Sequence, residues 1–304
     1  MKKVVSISIG SSKRDHIVDV ELLGEQFHIW REGTDGDMPD AARRLREYDG
    51  KVDAFGMGGI DLFLNAADRT YWFRDAKQFR DAVTTTPLLD GSGLKGAVEG
   101  DVVRFMQEDL GLTVAGKRVL VTSAVDRWGM AMAFADAGCD MVYGDLLYAL
   151  DVPIMIHTKP GLIRAVRVMA PIASQLPFKF LYPAEADHTS KVESESKHAQ
   201  LYRDADIISG DYKFVRKYMP RDMSGKWIVT NTTTIEDVGF LRSTGAELLI
   251  TSTPRLEGRT FGTNVIEATL VALDGATAAL APERYLELLR ATGFAPDVIW
   301  LQKD

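Results

Sequence analysis

Short apolar runs alternate with stretches of helical spacing through the second half of the chain. Six such runs are rich in β-branched residues: "RVLVTS", "DMVYGD", "FKFLYP", "ADIISGD", "KWIVTN" and "ELLITST". Strands that alternate with helices predict a parallel sheet with helices on both faces. Near-continuous apolar character is typical of strands buried on two sides. We therefore expect a Rossmann-like, doubly wound parallel sheet here.

The first part of the chain has a different pattern. The segments "VVSISIG", "HIVDVELLG" and "QFHIWREGT" alternate between apolar and polar residues, which favours a hairpin or meander. A second hairpin is expected around "NAADRTYWFRDA", and a long helix is expected from Lys95 into "VVRFMQEDLG". These elements predict an N-terminal mixed α/β domain, so the whole chain falls in the α/β class.

The length of 304 residues is enough for two hydrophobic cores. We place the boundary near "GLTVAGK", where two glycines coincide with the change of pattern. The predicted domains are an N-terminal substrate domain, residues 1–112, and a Rossmann-like domain, residues 113–304. We expect the C-terminal helices of the second domain to return toward the first.

Composition narrows the possible partners. A formal net charge of −7 argues against binding to nucleic acid, because clustered Lys and Arg make most phosphate contacts. No segment approaches the ~20 consecutive apolar residues of a membrane span, and the first apolar run is too short for a signal-peptide core. A single cysteine, Cys139, excludes an intramolecular disulfide and a cysteine-rich zinc site. We expect a soluble cytoplasmic protein that binds a small anionic molecule. The sequence leaves open whether the chain forms a homo-oligomer.

Small polar residues follow the predicted parallel strands, and the carboxyl ends of such strands are where ligands bind. Five groups share this position: Ser123 with Asp126 and Arg127; Gly144 and Asp145; Ser209 to Asp211; Asn231 to Thr234; and Thr251 to Pro254. The same residue types also cap the helices that follow strands. The five groups together favour a polar ligand site at one edge.

Asp145 stands where an acidic residue bonds the ribose of NAD, about 20 residues beyond the first turn of such a unit. Capping of the next helix is the alternative. The turn itself, "SAVDRWG", keeps only Gly129 of the usual glycines, although Arg127 offers a phosphate contact. The predicted cofactor is NAD, and the predicted cofactor-binding residues are Ser123, Asp126, Arg127, Gly129, Asp145, Asn231 and Thr232.

Three segments contain the candidate residues for catalysis and for substrate binding. "LLDGSGLK" presents Asp90 and Lys95 within one turn, and such a pair can divide proton transfer. An ordinary turn is the alternative. "SIGSSKRDH" and "STPRLEGRTFGTN" offer hydroxyl and cationic groups for an anion. We predict Lys95 and Asp90 as catalytic residues, and a substrate-binding set of Ser11, Ser12, Lys13, Ser92, Arg255 and Arg259.

Several segments resemble one bacterial family. "DGSGLK", "SAVDRWGMA", "GDLLYAL", "TNTTT" and "LEGRTFGTN" are similar to those of a family named quinate 5-dehydrogenase, and the order of domains resembles the shikimate and quinate dehydrogenase fold. The resemblance implies an NAD-linked oxidoreductase of a small polyhydroxy carboxylic acid. Ser8, Ser11 and Ser12 loosely match that fold's Ser-x-Ser motif, and Lys95 with Asp90 stands in for its Lys and Asp in another local order.

Two further hypotheses stay open. The missing glycines favour a non-catalytic or regulatory protein that binds an anionic metabolite in a cleft between the domains. The opening segment also faintly resembles that of sugar kinases and other actin-like ATPases. Those proteins place an acidic residue in the first turn for Mg²⁺, whereas "SIGSSK" has none before Asp15.

Overall fold

The computed structural model describes residues 1–177, 198–252 and 262–302. Its strands are β1 Lys2–Ser8, β2 Ile17–Leu22, β3 Glu25–Gly33, β4 Ala54–Gly58, β5 Phe63–Ala66, β6 Arg69–Trp72, β7 Leu88–Leu89, β8 Arg118–Val121, β9 Asp140–Tyr143, β10 Ile207–Gly210, β11 Trp227–Thr230, β12 Leu248–Thr251 and β13 Asp297–Trp300. Its helices are α1 Met38–Tyr48, α2 Lys77–Arg80, α3 Ser92–Glu108, α4 Trp128–Asp136, α5 Asp145–Leu150, α6 Lys159–Ala173, α7 Ala199–Asp204, α8 Tyr212–Lys217, α9 Ile235–Ser243, α10 Thr263–Asp274 and α11 Pro282–Ala291.

The chain folds into two compact units. The described residues of the first unit are 1–97, 169–177 and 262–294, and those of the second are 98–168, 198–252 and 295–302. The chain first passes from one unit to the other inside α3, between Ala97 and Val98. The boundary at residue 112 lies beyond the end of this helix and stays a prediction.

The first unit is built on a sheet with strand order β2-β3-β1-β4-β7. Strand β1 runs parallel to both β3 and β4, and β4 runs parallel to β7. The expectation of a meander is therefore wrong for β1, and only β2 and β3 form the hairpin. The burial pattern explains the difference. Five consecutive buried residues end β1, as in a central strand, whereas β2 alternates along its length, as an edge strand does.

Helices cover both faces of this first sheet. Val5, Ile7 and Phe55 face α1, whose Leu45 is fully buried. Residues on the opposite face of β1 and β4 pack against α10, in which every residue from Val265 to Ala272 is buried. The close approach of α10 requires glycine at position 56, since a Cβ there would lie 2.9 Å from Nδ2 of Asn264.

The second predicted hairpin is confirmed by the antiparallel pairing of β5 and β6.

The second unit contains a sheet with order β13-β12-β11-β10-β8-β9. Strands β8 to β12 are parallel and β13 is antiparallel to β12. Five predicted strands are confirmed, "FKFLYP" lies outside the described residues, and β13 was not predicted. Each parallel strand contributes one residue to a common core: Leu120, Val142, Ile208, Ile228 and Leu249. The chain is thus an α/β protein with a doubly wound, mostly parallel sheet.

Candidate functional site

The first candidate site lies where the strands of the first sheet end. Ser8 of β1 is paired with Gly33 of β3 on one side and with Gly58 of β4 on the other. The chain leaves β1 toward β3 and leaves β4 toward β7, so the order of strands reverses between β1 and β4. Such a reversal at the carboxyl edge of an α/β sheet is where ligands bind.

Two arginines and a serine meet at Gly10, just beyond β1. A Cβ placed on Gly10 would lie 3.2 Å from Nη2 of Arg14, 3.2 Å from Nη2 of Arg31 and 3.3 Å from Oγ of Ser8. Ser8 is buried, and its Oγ accepts a hydrogen bond of 3.1 Å from the Gly10 amide. Two guanidinium groups and a hydroxyl therefore pack closely against the Gly10 backbone, where a side chain would displace them.

The two arginines differ in their protein partners. Nη1 of Arg31 donates to the Ser11 carbonyl at 2.9 Å and to Oδ1 of Asp15 at 2.6 Å. Arg14 is exposed and makes no ion pair or side-chain hydrogen bond with the residues that the structure describes. Arg31 is thus held in place, while Arg14 keeps its donors for another group.

The predicted substrate-binding residues of this loop have other contacts. Ser11 caps a short 3₁₀ turn by accepting from the Lys13 amide at 3.3 Å. Ser12 donates its hydroxyl to Asp35 at 2.7 Å, and Lys13 is exposed. The atoms nearest to Gly10 come instead from Ser8, Arg14 and Arg31.

Asp90 and Lys95 surround the start of α3. Oδ2 of Asp90 accepts from the Leu62 amide at 2.6 Å, and its Oδ1 accepts from the Ser92 amide at 2.9 Å. Both oxygens are therefore used by backbone groups, and Asp90 caps the helix. Burial, with the nearby charge of Asp61, raises its pKa. Lys95 is half-buried in the first turn of α3, so the paired catalytic role stays a prediction.

Sequence reasoning missed a second buried carboxyl group beside this turn. Glu267 of α10 is 1% exposed, and its Oε1 accepts from the Tyr285 hydroxyl at 2.7 Å. A Cβ on Gly93 would overlap that oxygen, so the carboxyl group packs directly on the first turn of α3. Burial raises the pKa of Glu267 to about 7, and the charge of Asp90 adds to the shift.

The second candidate site lies at the carboxyl edge of the second sheet and is centred on Arg127. This buried side chain donates from Nη1 to Glu99 at 2.5 Å and from Nη2 to Asp211 at 2.7 Å, and its Nε lies 3.1 Å from Asp126. Burial acts to lower the pKa of Arg127, but the three carboxylates outweigh it and hold the pKa well above its ordinary value. One cation thus faces three anions.

Neighbouring strand ends join the same network. The Ser123 hydroxyl accepts from the Asp211 amide at 2.9 Å, and Nδ2 of Asn231 donates to Asp211 at 3.0 Å. Gly129 lies in the first turn of α4, and Thr232 is half-buried beyond β11. Capping also occurs in two of the five groups, because Asp211 caps α8 and Thr234 caps α9. The structure places all seven predicted cofactor-binding residues along one edge.

Asp145 is the first residue of α5, and its side chain binds the turn after β8 instead of capping the helix. Gly144 occupies the cap position of α5, while Oδ1 of Asp145 accepts from the Val125 amide at 2.8 Å. Its Oδ2 is buried and has no hydrogen-bond donor among the described residues. Burial raises the pKa of this carboxyl group to about 6. An acceptor without a donor is costly, and a ligand hydroxyl would satisfy it.

Arg255 and Arg259 lie outside the described residues. Cys139 is half-buried, and burial raises the pKa of its thiol to about 11. Among residues 1–177, 198–252 and 262–302, no cluster of His, Cys, Asp or Glu is suited to a metal ion, and none of their helices could cross a membrane.

The comparison with protein families covers almost the whole chain. Residues 93–301 match a family described as a domain of unknown function, DUF8754. The chain belongs to the DUF8754 family. Residues 3–90 match a second domain of unknown function, DUF8753. No curated protein matches the chain in sequence.

Several solved structures resemble this DUF8754 protein at a distance. Glutamate dehydrogenase from Thermus thermophilus aligns over 96% of this chain and 74% of its own, with 14% identity and a TM-score of 0.42. The glucose-galactose binding protein GanP from Geobacillus stearothermophilus aligns over 99% and 98%, with 10% identity and a TM-score of 0.37. A phosphoglycerate oxidoreductase from Vibrio cholerae aligns over 94% of each chain, with 10% identity and a TM-score of 0.34. Likeness at this level carries no conclusion about activity.

Proposed function

We propose that this protein binds a small organic anion, a polyhydroxy carboxylic acid such as quinate, at the carboxyl edge of the first sheet. The observation that carries this proposal is the meeting of Arg14, Arg31 and Ser8 at Gly10. Guanidinium groups bind carboxylates through strong, charge-assisted hydrogen bonds. Ser8 adds a hydroxyl group that can donate or accept.

Because the chain as a whole is acidic, an anion should bind where arginine donors are available. With a net charge of −7, the protein as a whole repels small anions. Arg14 leaves its donors available at the point where the order of strands reverses. A carboxylate there replaces water on Arg14 without separating Arg31 from Asp15.

A second candidate function is oxidation of that acid by an NAD-linked oxidoreductase. The unpartnered Oδ2 of Asp145 favours it, because this carboxylate has the position at which NAD-binding units hold a ribose hydroxyl. NAD, when bound, supplies the hydride acceptor. The resemblance to quinate 5-dehydrogenase, with Lys95 and Asp90 handling the alcohol proton, supports the same candidate.

The residues of the second edge fit one part of NAD better than another. Asp145 fits a ribose hydroxyl. The pyrophosphate fits poorly, because residues 123–128 contain no glycine and Arg127 is already paired with Glu99 and Asp211. Asp126 adds a further negative charge beside the turn. Binding through the ribose is therefore the part of this candidate that the structure supports.

The anion site is tested by calorimetric titration of the protein with quinate and shikimate. Removing one charge-assisted contact costs about 1.5–3 kcal/mol, or roughly 10- to 100-fold in affinity, so Arg14→Ala should weaken binding by that factor. Lys13→Ala is the matched control, because it removes a neighbouring cation that is not among the atoms nearest to Gly10. Equal losses in the two variants would mean that only the general charge of the loop matters.

The redox candidate has its own test. Thermal shifts are measured with NAD⁺, NADH, NADP⁺ and NADPH for the wild type and for Asp145→Ala, since a ligand of the folded state raises the melting temperature. A shift with NAD⁺ or NADH that shrinks in the variant supports the candidate. No shift with any of the four nucleotides removes it and leaves binding without turnover.

A further inference from the structure

Two buried carboxyl groups lie close to the carboxyl end of β7, on either side of the first turn of α3. Asp90 precedes the helix and is 8% exposed, while Glu267 approaches from α10 and is 1% exposed. The absence of a side chain on Gly93 lets Glu267 come this close, because a Cβ there would overlap Oε1. Each group raises the cost of ionising the other, since two like charges in a poorly solvated place repel.

The hydrogen bonds of the two groups are unequal. Asp90 accepts from two backbone amides, at Leu62 and Ser92, which stabilise its charged form. Glu267 accepts from the Tyr285 hydroxyl at Oε1, but Oε2 receives no hydrogen bond of ordinary geometry from the described residues. When one proton is present, Glu267 is therefore the group that carries it.

We propose that Asp90 and Glu267 form one proton-holding pair close to the carboxyl end of β7, and that binding of an organic anion at the carboxyl edge of the first sheet adds a proton to the pair. The second part rests on the proposed function. A bound carboxylate brings another negative charge to the edge, and a neighbouring carboxyl group responds by taking up a proton.

Charged and titratable groups act on Glu267 from several of the described elements. Tyr285 of α11 donates to it, Asp90 faces it across the turn, and Asp61 acts on Asp90. The amides of Gly91 and Leu94 in the same turn act against protonation. Strands β4 and β7, on which α10 packs, contain no ionisable residue, and Lys2 of β1 contacts the other end of the helix at Ala272 and Leu273. Lys95 lies one turn along α3.

The first measurement is the melting temperature between pH 5 and pH 8.5 without any ligand. The folded-state pKa of Glu267, about 7, lies above the ordinary value of 4.5, so its protonated form stabilises the fold below pH 4.5 and this stabilisation is lost as the pH rises through 7. The melting temperature of the wild type should therefore fall below that of Glu267→Gln as the pH rises. Glu283→Gln, an exposed change on α11, should follow the wild type.

The second measurement is titration calorimetry with quinate at pH 7 in imidazole and in Tris, two amine buffers whose ionisation enthalpies differ and which do not compete for an anion site. The wild type should take up a fraction of one proton per quinate, and Glu267→Gln should take up close to none while its affinity stays within a few-fold. A purely packing role for Glu267 would change affinity or stability without changing proton uptake.

The outcomes separate the two proposals. Parallel pH profiles of the wild type and Glu267→Gln would overturn the proton-holding pair whether or not quinate binds. Binding of quinate without proton uptake would overturn the coupling and leave the anion site intact. Absence of binding heat in the wild type and in Glu267→Gln alike would overturn the proposed function together with the coupling.

Discussion

At the scale of single residues, Arg127 holds the second edge together. Its side chain joins α3, through Glu99, to the ends of β8 and β10, through Asp126 and Asp211. Loss of this side chain should lower the free energy of unfolding strongly, because it leaves several carboxylates without a counter-charge in a poorly solvated place. Stability of the second unit should depend on this residue more than on any exposed ion pair.

We predict that Arg127→Met lowers the free energy of unfolding of the second unit by about 3–5 kcal/mol. The matched control is Arg118→Met, which removes an exposed pair with Asp140 and should destabilise the unit far less, because water screens a surface pair. Urea denaturation followed by circular dichroism measures both. Equal losses of unfolding free energy in the two variants would show that the buried network stabilises the unit no more than a surface pair does.

Asp145 leads to a prediction in which stability and binding change in opposite directions. Its folded-state pKa of about 6 exceeds the ordinary 3.8, so stabilisation by the protonated form is complete below pH 3.8 and is lost as the pH rises through 6. Asp145→Asn should therefore stabilise the ligand-free protein at pH 7.5 by about 3 kcal/mol and leave it unchanged at pH 3.5.

The same variant should weaken any nucleotide binding, because an amide replaces the carboxylate acceptor. Asp140→Asn, at the exposed start of β9, serves as the control. A destabilised Asp145→Asn protein at pH 7.5 would contradict the account of this carboxyl group, as would unchanged affinity for a nucleotide that binds the wild type.

At the scale of elements, the contact between α3 and α10 depends on glycine. Gly93→Ala gains about 1 kcal/mol of helix propensity, but its Cβ would overlap Oε1 of Glu267 and would lie 3.2 Å from the Tyr285 ring. We predict a net loss of about 1–3 kcal/mol. Gly96→Ala, in the same helix and with open space around it, should be neutral or stabilising. Thermal unfolding compares them, and a stable Gly93→Ala protein would argue against close packing here.

The elements themselves were largely predictable, and the contacts between them were not. The parallel strands of the second unit follow from their apolar runs, whereas the parallel partners of β1 do not, because a short alternating strand fits either direction of pairing. Lys13 and Arg14 are neighbours in the same loop, yet only the fold brings Arg31, from β3, beside Arg14 at Gly10. Glu267 was missed for a similar reason, since one acidic residue in an apolar helix carries no spacing signal.

At the scale of the whole molecule, each unit has its own sheet and its own polar edge of opposite character. The first edge gathers Arg14 and Arg31 around Gly10, and the second pairs one arginine with three carboxylates. The organic anion that we propose as ligand is therefore expected at the first edge. A ligand of the second edge should offer hydroxyl groups to Asp145.

The most direct measurement is the affinity of Gly10→Ala for quinate by titration calorimetry, with Gly96→Ala as the control. The added Cβ would displace the ends of the two flexible arginine side chains, so the protein should fold normally and lose about 10-fold or more in affinity. The control should bind as the wild type does. Equal binding by Gly10→Ala and the wild type would contradict the account, because the anion would then occupy another place.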